Sequence, residues 1–163
     1  VVAIMGVLAA VGVVAYNGFM ASAKENASRT NHKQVVQFIQ ASIMKCHMGG
    51  ELILKHNSTT DTPDLCPTVR GTVVRNVYHS SRDPSTEDML NRFVYHFSLG
   101  LKWCNAYGRM HSSGQTCEEG VEGGASGGGK LGVVKLSADG TKIVIDTRVL
   151  ENEWVTDRID LNQ

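Results

Sequence analysis

Hydrophobic and polar positions divide the first 47 residues into two regimes. From Val1 to Ala15 the chain is apolar on every helical face, with only glycines interrupting, and no charged side chain precedes Lys24. After Lys24 the pattern becomes one-sided. Val35, Val36, Phe38, Ile39, Ile43 and Cys46 recur at three- and four-residue intervals, while Lys24, Glu25, Arg29, His32 and Lys33 supply polar positions. No proline interrupts either regime, and Gly49-Gly50 supplies a stop. One helix over 1–47 follows, about 70 Å long at 1.5 Å per residue. That exceeds the width of any compact domain a chain of this size can build, so the first half must project.

The remaining pattern is β-like and loop-rich. Residues 49–84 contain short extended pieces, "ELILK" and "TVVRNVY". Ser85-x-x-Asp88 ahead of Met89, Leu90 and Phe93 is a loose capping box, which predicts a short helix from Ser85 to Leu99 closed by Gly100. The strongest strand signal is "LGVVKLSADGTKIVIDTRV". A two-residue turn at Asp139-Gly140 sets Leu136 against Ile143, Val134 against Ile145 and Gly132 against Thr147, with Lys135, Asp146 and Arg148 on the opposite face. "EWVTDRIDL" predicts a third strand near the C-terminus with Val155, Ile159 and Leu161 partly inward.

The predicted class is therefore α+β: a long N-terminal α-helix packed by its C-terminal half against a small antiparallel β-sheet, with a short extra helix near 85–99. Residues 1–25 form a projecting apolar helix. Residues 26–163 form a globular head, comprising the amphipathic half-helix 26–47, a loop region 49–130, a β-hairpin 131–149 and a C-terminal strand and tail 150–163.

Length and charge narrow the class. The chain has 163 residues, enough for one domain with a modest core. Its 16 basic residues balance its 16 acidic ones, so no global field points toward nucleic acid. An apolar run of about 20 residues spans a bilayer core. A secretory signal would instead show a basic n-region and a shorter apolar stretch, and a one-sided core helix would show polar residues every third or fourth position. The leading expectation is a membrane helix.

The segment "VVAIMGVLAAVGVVAYNGF" resembles the type IV pilins, whose mature helix reads "VVAIIGILAAIAIPAYQ" through the aromatic that Tyr16 matches here. The resemblance covers about the first 25 residues, and beyond them only the architecture is similar. It implies a helix that first anchors the subunit in the inner membrane and then packs with its copies in a helical homopolymer. The core residues so implied are Val1, Val2, Ile4, Met5, Val7, Leu8, Val11, Val13, Val14, Tyr16 and Phe19. It also implies handling by a pilus assembly machinery, and a final location in an extracellular pilus on the cell surface. Adhesion and twitching motility are family activities. Val14 stands where the family carries a proline, so any break in the helix must come from glycine, with Gly12 and Gly18 bounding the stretch where unwinding is left open. The family's leader, its cleavage site and the glutamate after it do not appear, which implies a start several residues into the mature helix. Two alternatives remain open: a pseudopilin of a secretion system, and a single-span membrane-anchored extracellular binding module.

Four cysteines, Cys46, Cys66, Cys104 and Cys117, contain no CxxC pair, and export permits disulfides. Three pairings are possible, and proximity favours Cys46–Cys66 and Cys104–Cys117, each worth roughly 3 kcal/mol by chain entropy. "GASGGGKL" (124–131) misses a phosphate loop, because Leu131 replaces the magnesium-binding hydroxyl and no hydrophobic strand precedes it; an exposed flexible linker is expected. Asp139 and Gly140 are turn residues, not calcium ligands. Six scattered histidines lack ligand spacing, and Asn57 begins a glycosylation sequon. No catalytic residues, cofactor site or metal site can be assigned, so no enzyme is expected.

Overall fold

A computed structural model describes residues 2–50, 52–54, 62–64, 86–108, 118–124 and 129–161. Val1, Cys66, Cys117, the Asn57 sequon and the "TVVRNVY" segment lie outside the described residues.

Helix α1 (Val2–His47) is continuous over 46 residues. Its end is built as expected. Gly49 takes φ +77°, and the Gly49 and Gly50 N–H groups close on the carbonyls of Cys46 and Lys45 at 3.0 Å each, a Schellman stop. The stretch from Gly12 to Gly18, where the sequence leaves unwinding open, is helical. Without proline each interior N–H can keep its carbonyl four residues back, and a glycine costs only about 1 kcal/mol relative to alanine.

Beyond α1 come β1 (Leu52–Leu54) and β2 (Thr62–Asp64), an antiparallel pair. Helix α2 (Thr86–Tyr95) runs directly into a π-helical turn, His96–Gly100. Gly100 is the last residue of that run, as expected, and Leu101 caps it. The chain then turns away at Lys102, whose φ of 51° is the left-handed conformation usually left to glycine. The Leu101 and Trp103 N–H groups close on His96 and Phe97.

A four-stranded sheet completes the head: β3 (Val121–Gly123), β4 (Val134–Asp139), β5 (Lys142–Leu150) and β6 (Glu153–Asp160), in the order β3-β4-β5-β6. Strand β3, too short to show a period, joins parallel to β4, and the other pairings are antiparallel. The hairpin register differs from the expected one. Asp139 pairs with Lys142, Leu136 with Ile145 and Val134 with Thr147. The two turn residues are thus Gly140 and Thr141. Only Gly140 of the pair takes positive φ, at +61°, and a type II′ turn places glycine at its first central position. Asp139 becomes the last residue of β4. Because the register moves by two, every side chain keeps its face.

Helices α1 and α2 both contact that sheet, α1 reaching β4, β5 and β6 and α2 reaching β3, β4 and β5. Val35, Ile39 and Ile43 of α1 join Met89, Phe93 and Phe97 with Val121, Val134, Leu136, Ile143, Ile145, Ile159 and Leu161 in one core. Phe38 closes its edge, stacked on His96 at 4.7 Å and set edge-on to Phe93 and Phe97. Such aromatic pairs add about 0.5–1.5 kcal/mol beyond their buried area.

Candidate functional site: the projecting helix and its root

Positions 3–23 of α1 are exposed without exception. At 1.5 Å per residue this stretch is about 31 Å long, close to a bilayer hydrocarbon core of about 30 Å. Ile4, Met5, Val7, Leu8, Val11, Val13, Val14, Tyr16 and Phe19 each expose between 60 and 74% of their surface. Val2 begins the helix. A core helix of a soluble domain would be mostly covered, and none of the apolar window here is. A Cβ built on Gly6, Gly12 or Gly18 meets nothing within 4 Å, so the head does not require glycine at these positions.

Burial begins abruptly at Ser28 and continues through His32, Val35, Ile39 and Ser42, spaced four, three, four and three residues apart. That stripe faces the sheet, and its first turns carry the polar contacts that root the helix. The Arg29 guanidinium donates to Glu25 Oε1 at 3.0–3.1 Å and to Glu153 Oε1 at 2.6 Å, bridging one helical turn to the start of β6. These two carboxylates hold Arg29 above its ordinary pKa, the hydrogen bond to Glu153 contributing most and that to Glu25 next.

One turn later, His32 is 1% exposed, with Nδ1 2.8 Å from Thr147 Oγ1 and Nε2 2.8 Å from Asp157 Oδ2. A carboxylate only accepts, so Nε2 carries the proton and donates to Asp157. Nδ1 and the Thr147 hydroxyl share the second hydrogen bond. Both ring nitrogens are satisfied by the sheet, one by β5 and one by β6. The order hydroxyl–imidazole–carboxylate is that of a nucleophilic triad, but Thr147 has no exposed surface for a substrate to reach. The set is an anchor.

A loop completes the collar. Asn105 Nδ2 donates to the Leu131 carbonyl and its Oδ1 accepts from the Tyr107 N–H, while Tyr107 Oη donates to the Val149 carbonyl at 2.9 Å. Lys24 Nζ lies 5.8 Å from the Tyr107 ring centroid, at the first charge after the apolar run. Gly132, at φ +79°, allows this closure, because a Cβ there would collide with Asn105 Oδ1 and the Tyr107 ring. Burial raises the Tyr107 pKa above 10, the negative Glu25 adds to the rise, and Arg29 opposes it.

The other predicted sites fare unevenly. Cys46 and Cys104 are disulfide-bonded and do not titrate. The pairing remains an expectation, since Cys66 and Cys117 lie outside the described residues. Of the glycine segment, residues 125–128 lie outside the described residues, while Gly124 is exposed, Gly129 is buried beside Lys135 and Trp154, and Leu131 bridges to Arg148. No group of three or more metal-ligating side chains occurs among the described residues. Sequence reasoning missed His32, Thr147, Asp157, Glu153 and the Asn105–Tyr107–Gly132 node. His32 was detectable in part, since it falls on the 28–32–35–39–42 stripe. Its partners were not, because they lie more than 100 residues away in sequence.

The fold and root define a class: an α+β protein with a pilin-like architecture, whose projecting helix suits a membrane anchor or a polymerisation helix. No family model, curated protein or solved structure matches the chain.

Proposed function

We propose that the chain is the structural subunit of a type IV pilus, held in the inner membrane by α1 and then polymerised through it into a filament on the cell surface. The observation that carries this reading is the uncovered apolar helix, 3–23, on a head that has its own closed core. Exposing one large apolar side chain instead of burying it costs roughly 1.5–3 kcal/mol, so the helix requires an apolar environment. Lipid supplies one and a bundle of copies supplies the other, and one uncharged surface serves both. The partners of this reading are copies of the chain, the membrane, and the machinery that moves subunits between them. Adhesion, motility and uptake are roles of the assembled filament.

The test is assembly of the full-length chain after detergent removal. Extended filaments are expected by electron microscopy, and Val11→Asp, placing a charge in the helix–helix contact, abolishes them. Filaments unaffected by that charge would overturn the reading. A single-span anchored binding module is the second reading, favoured by the match of the exposed stretch to one bilayer. It predicts monodisperse protein in detergent and vesicle insertion without filaments.

A further inference from the structure

Two exposed features lie at opposite ends of β6 and complement each other. Near the root of α1, the β5–β6 turn forms an acidic, apolar tip of Leu150, Glu151 and Glu153. Leu150 is 40% exposed, and Arg148 donates twice to the Glu151 carbonyl at 2.6 and 2.9 Å, bracing the turn. A register shift between Arg148 and Leu150 sets this tip off from the ladder. Glu153 is already tied to Arg29, whereas the Glu151 carboxylate makes no ion pair among the described residues.

At the far end, α1 and β6 enclose an open groove of about 460 Å³. Ile43, Met44 and Ile159 give it apolar walls, and Lys142, Arg158 and His47 give it a basic rim. Asp160, the one lining acid among the described residues, accepts from Thr141 at 3.2 Å. Lys142 and Arg158 make no ion pair among the described residues. Met44 is 64% exposed and flexible enough to reshape around an inserted side chain.

We propose that the groove receives the β5–β6 tip of a second copy, with Leu150 seated on the exposed Met44 over the edges of Ile43 and Ile159, and Glu151 facing Lys142 and Arg158. The two surfaces differ and lie about 25 Å apart along β6, at about 3.3 Å per residue. A contact between different surfaces of identical chains is heterologous, and unless its rotation closes a ring it continues as an open helical polymer. Tip and groove also lie at the root and far ends of the head, so the incoming copy's projecting helix runs past the head that receives its tip. This inference rests on the filament reading and adds a head-to-head contact to the helix bundle.

The experiment uses the full chain and reads the concentration at which polymer first pellets in a sedimentation assay. Glu151→Lys alone, and Lys142→Glu with Arg158→Glu, each raise that concentration about tenfold, since like charges then meet across the contact. All three substitutions together restore it to within about threefold of the unaltered chain, because the charges are exchanged. Unchanged thermal melting of each variant shows that the head still folds. Reversals that polymerise like the unaltered chain, while Val11→Asp does not, overturn the tip-and-groove contact and leave the filament reading standing. A triple variant that stays defective also overturns this pairing. An unaltered chain that never polymerises overturns both.

Discussion

His32 is a polar side chain on the buried stripe of α1. It lies between Arg29 and Lys33, yet it is as buried as the core valines, because the sheet offers a hydroxyl and a carboxylate at 2.8 Å to its two nitrogens. Removing the ring strands the buried Thr147 hydroxyl and opens a cavity. His32→Ala is therefore expected to lower the unfolding free energy by roughly 2–4 kcal/mol in urea titration. Asp157→Asn, which keeps the shape at a half-exposed carboxylate, costs about 1 kcal/mol. Tyr107 allows a pH test. Its folded pKa is raised above the unfolded value of 10, so the folded state holds the phenolic proton more tightly. Its contribution is fully present below pH 10 and is lost as pH rises through the folded pKa. Ultraviolet titration of the phenolate is expected to show one tyrosine ionising above the ordinary range, and Tyr107→Phe removes that transition.

At the scale of elements, α1 shows why one helix can serve two surroundings. Its length and end come from local rules, apolar residues without proline and then a glycine stop, while the change at Ser28 from exposed to buried depends on where the sheet ends. The two halves are energetically separable, since positions 3–23 are exposed throughout. Val14→Pro is expected to kink the helix by removing the hydrogen bond to residue 10, costing about 3 kcal/mol of local helix stability. The melting temperature of the head should not move, and circular dichroism resolves the two effects. The hairpin carries the opposite lesson. Alternation assigned the correct faces to Val134, Leu136, Ile143 and Ile145, but the choice between Asp139-Gly140 and Gly140-Thr141 as the turn belonged to the backbone, where only Gly140 takes positive φ.

For the whole molecule, covalent closure supports a head that devotes much of its longest helix to the outside. Cys46 ends the packed part of α1, and Cys104 lies in the loop that carries Asn105 and Tyr107 to the root. Non-reducing peptide mapping is expected to recover Cys46–Cys66 and Cys104–Cys117, and a Cys46–Cys104 peptide would contradict both. Reduction should lower head stability by roughly 3 kcal/mol per bridge, which thermal melting with and without reductant measures.

The sequence by itself determined the long helix, its apolar and amphipathic halves, the glycine stop, the antiparallel strands β4, β5 and β6 and the faces of the hairpin. Each of these depends on residues within a few positions of one another: helical and strand periods, propensity, and glycine at positive φ. Only the tertiary structure decided how the helix is rooted. Arg29 with Glu153, His32 with Thr147 and Asp157, and Gly132 beneath Asn105 and Tyr107 are pairings across long stretches of chain. No local period encodes them, because they exist only after α1, the 101–108 loop and the sheet have packed together.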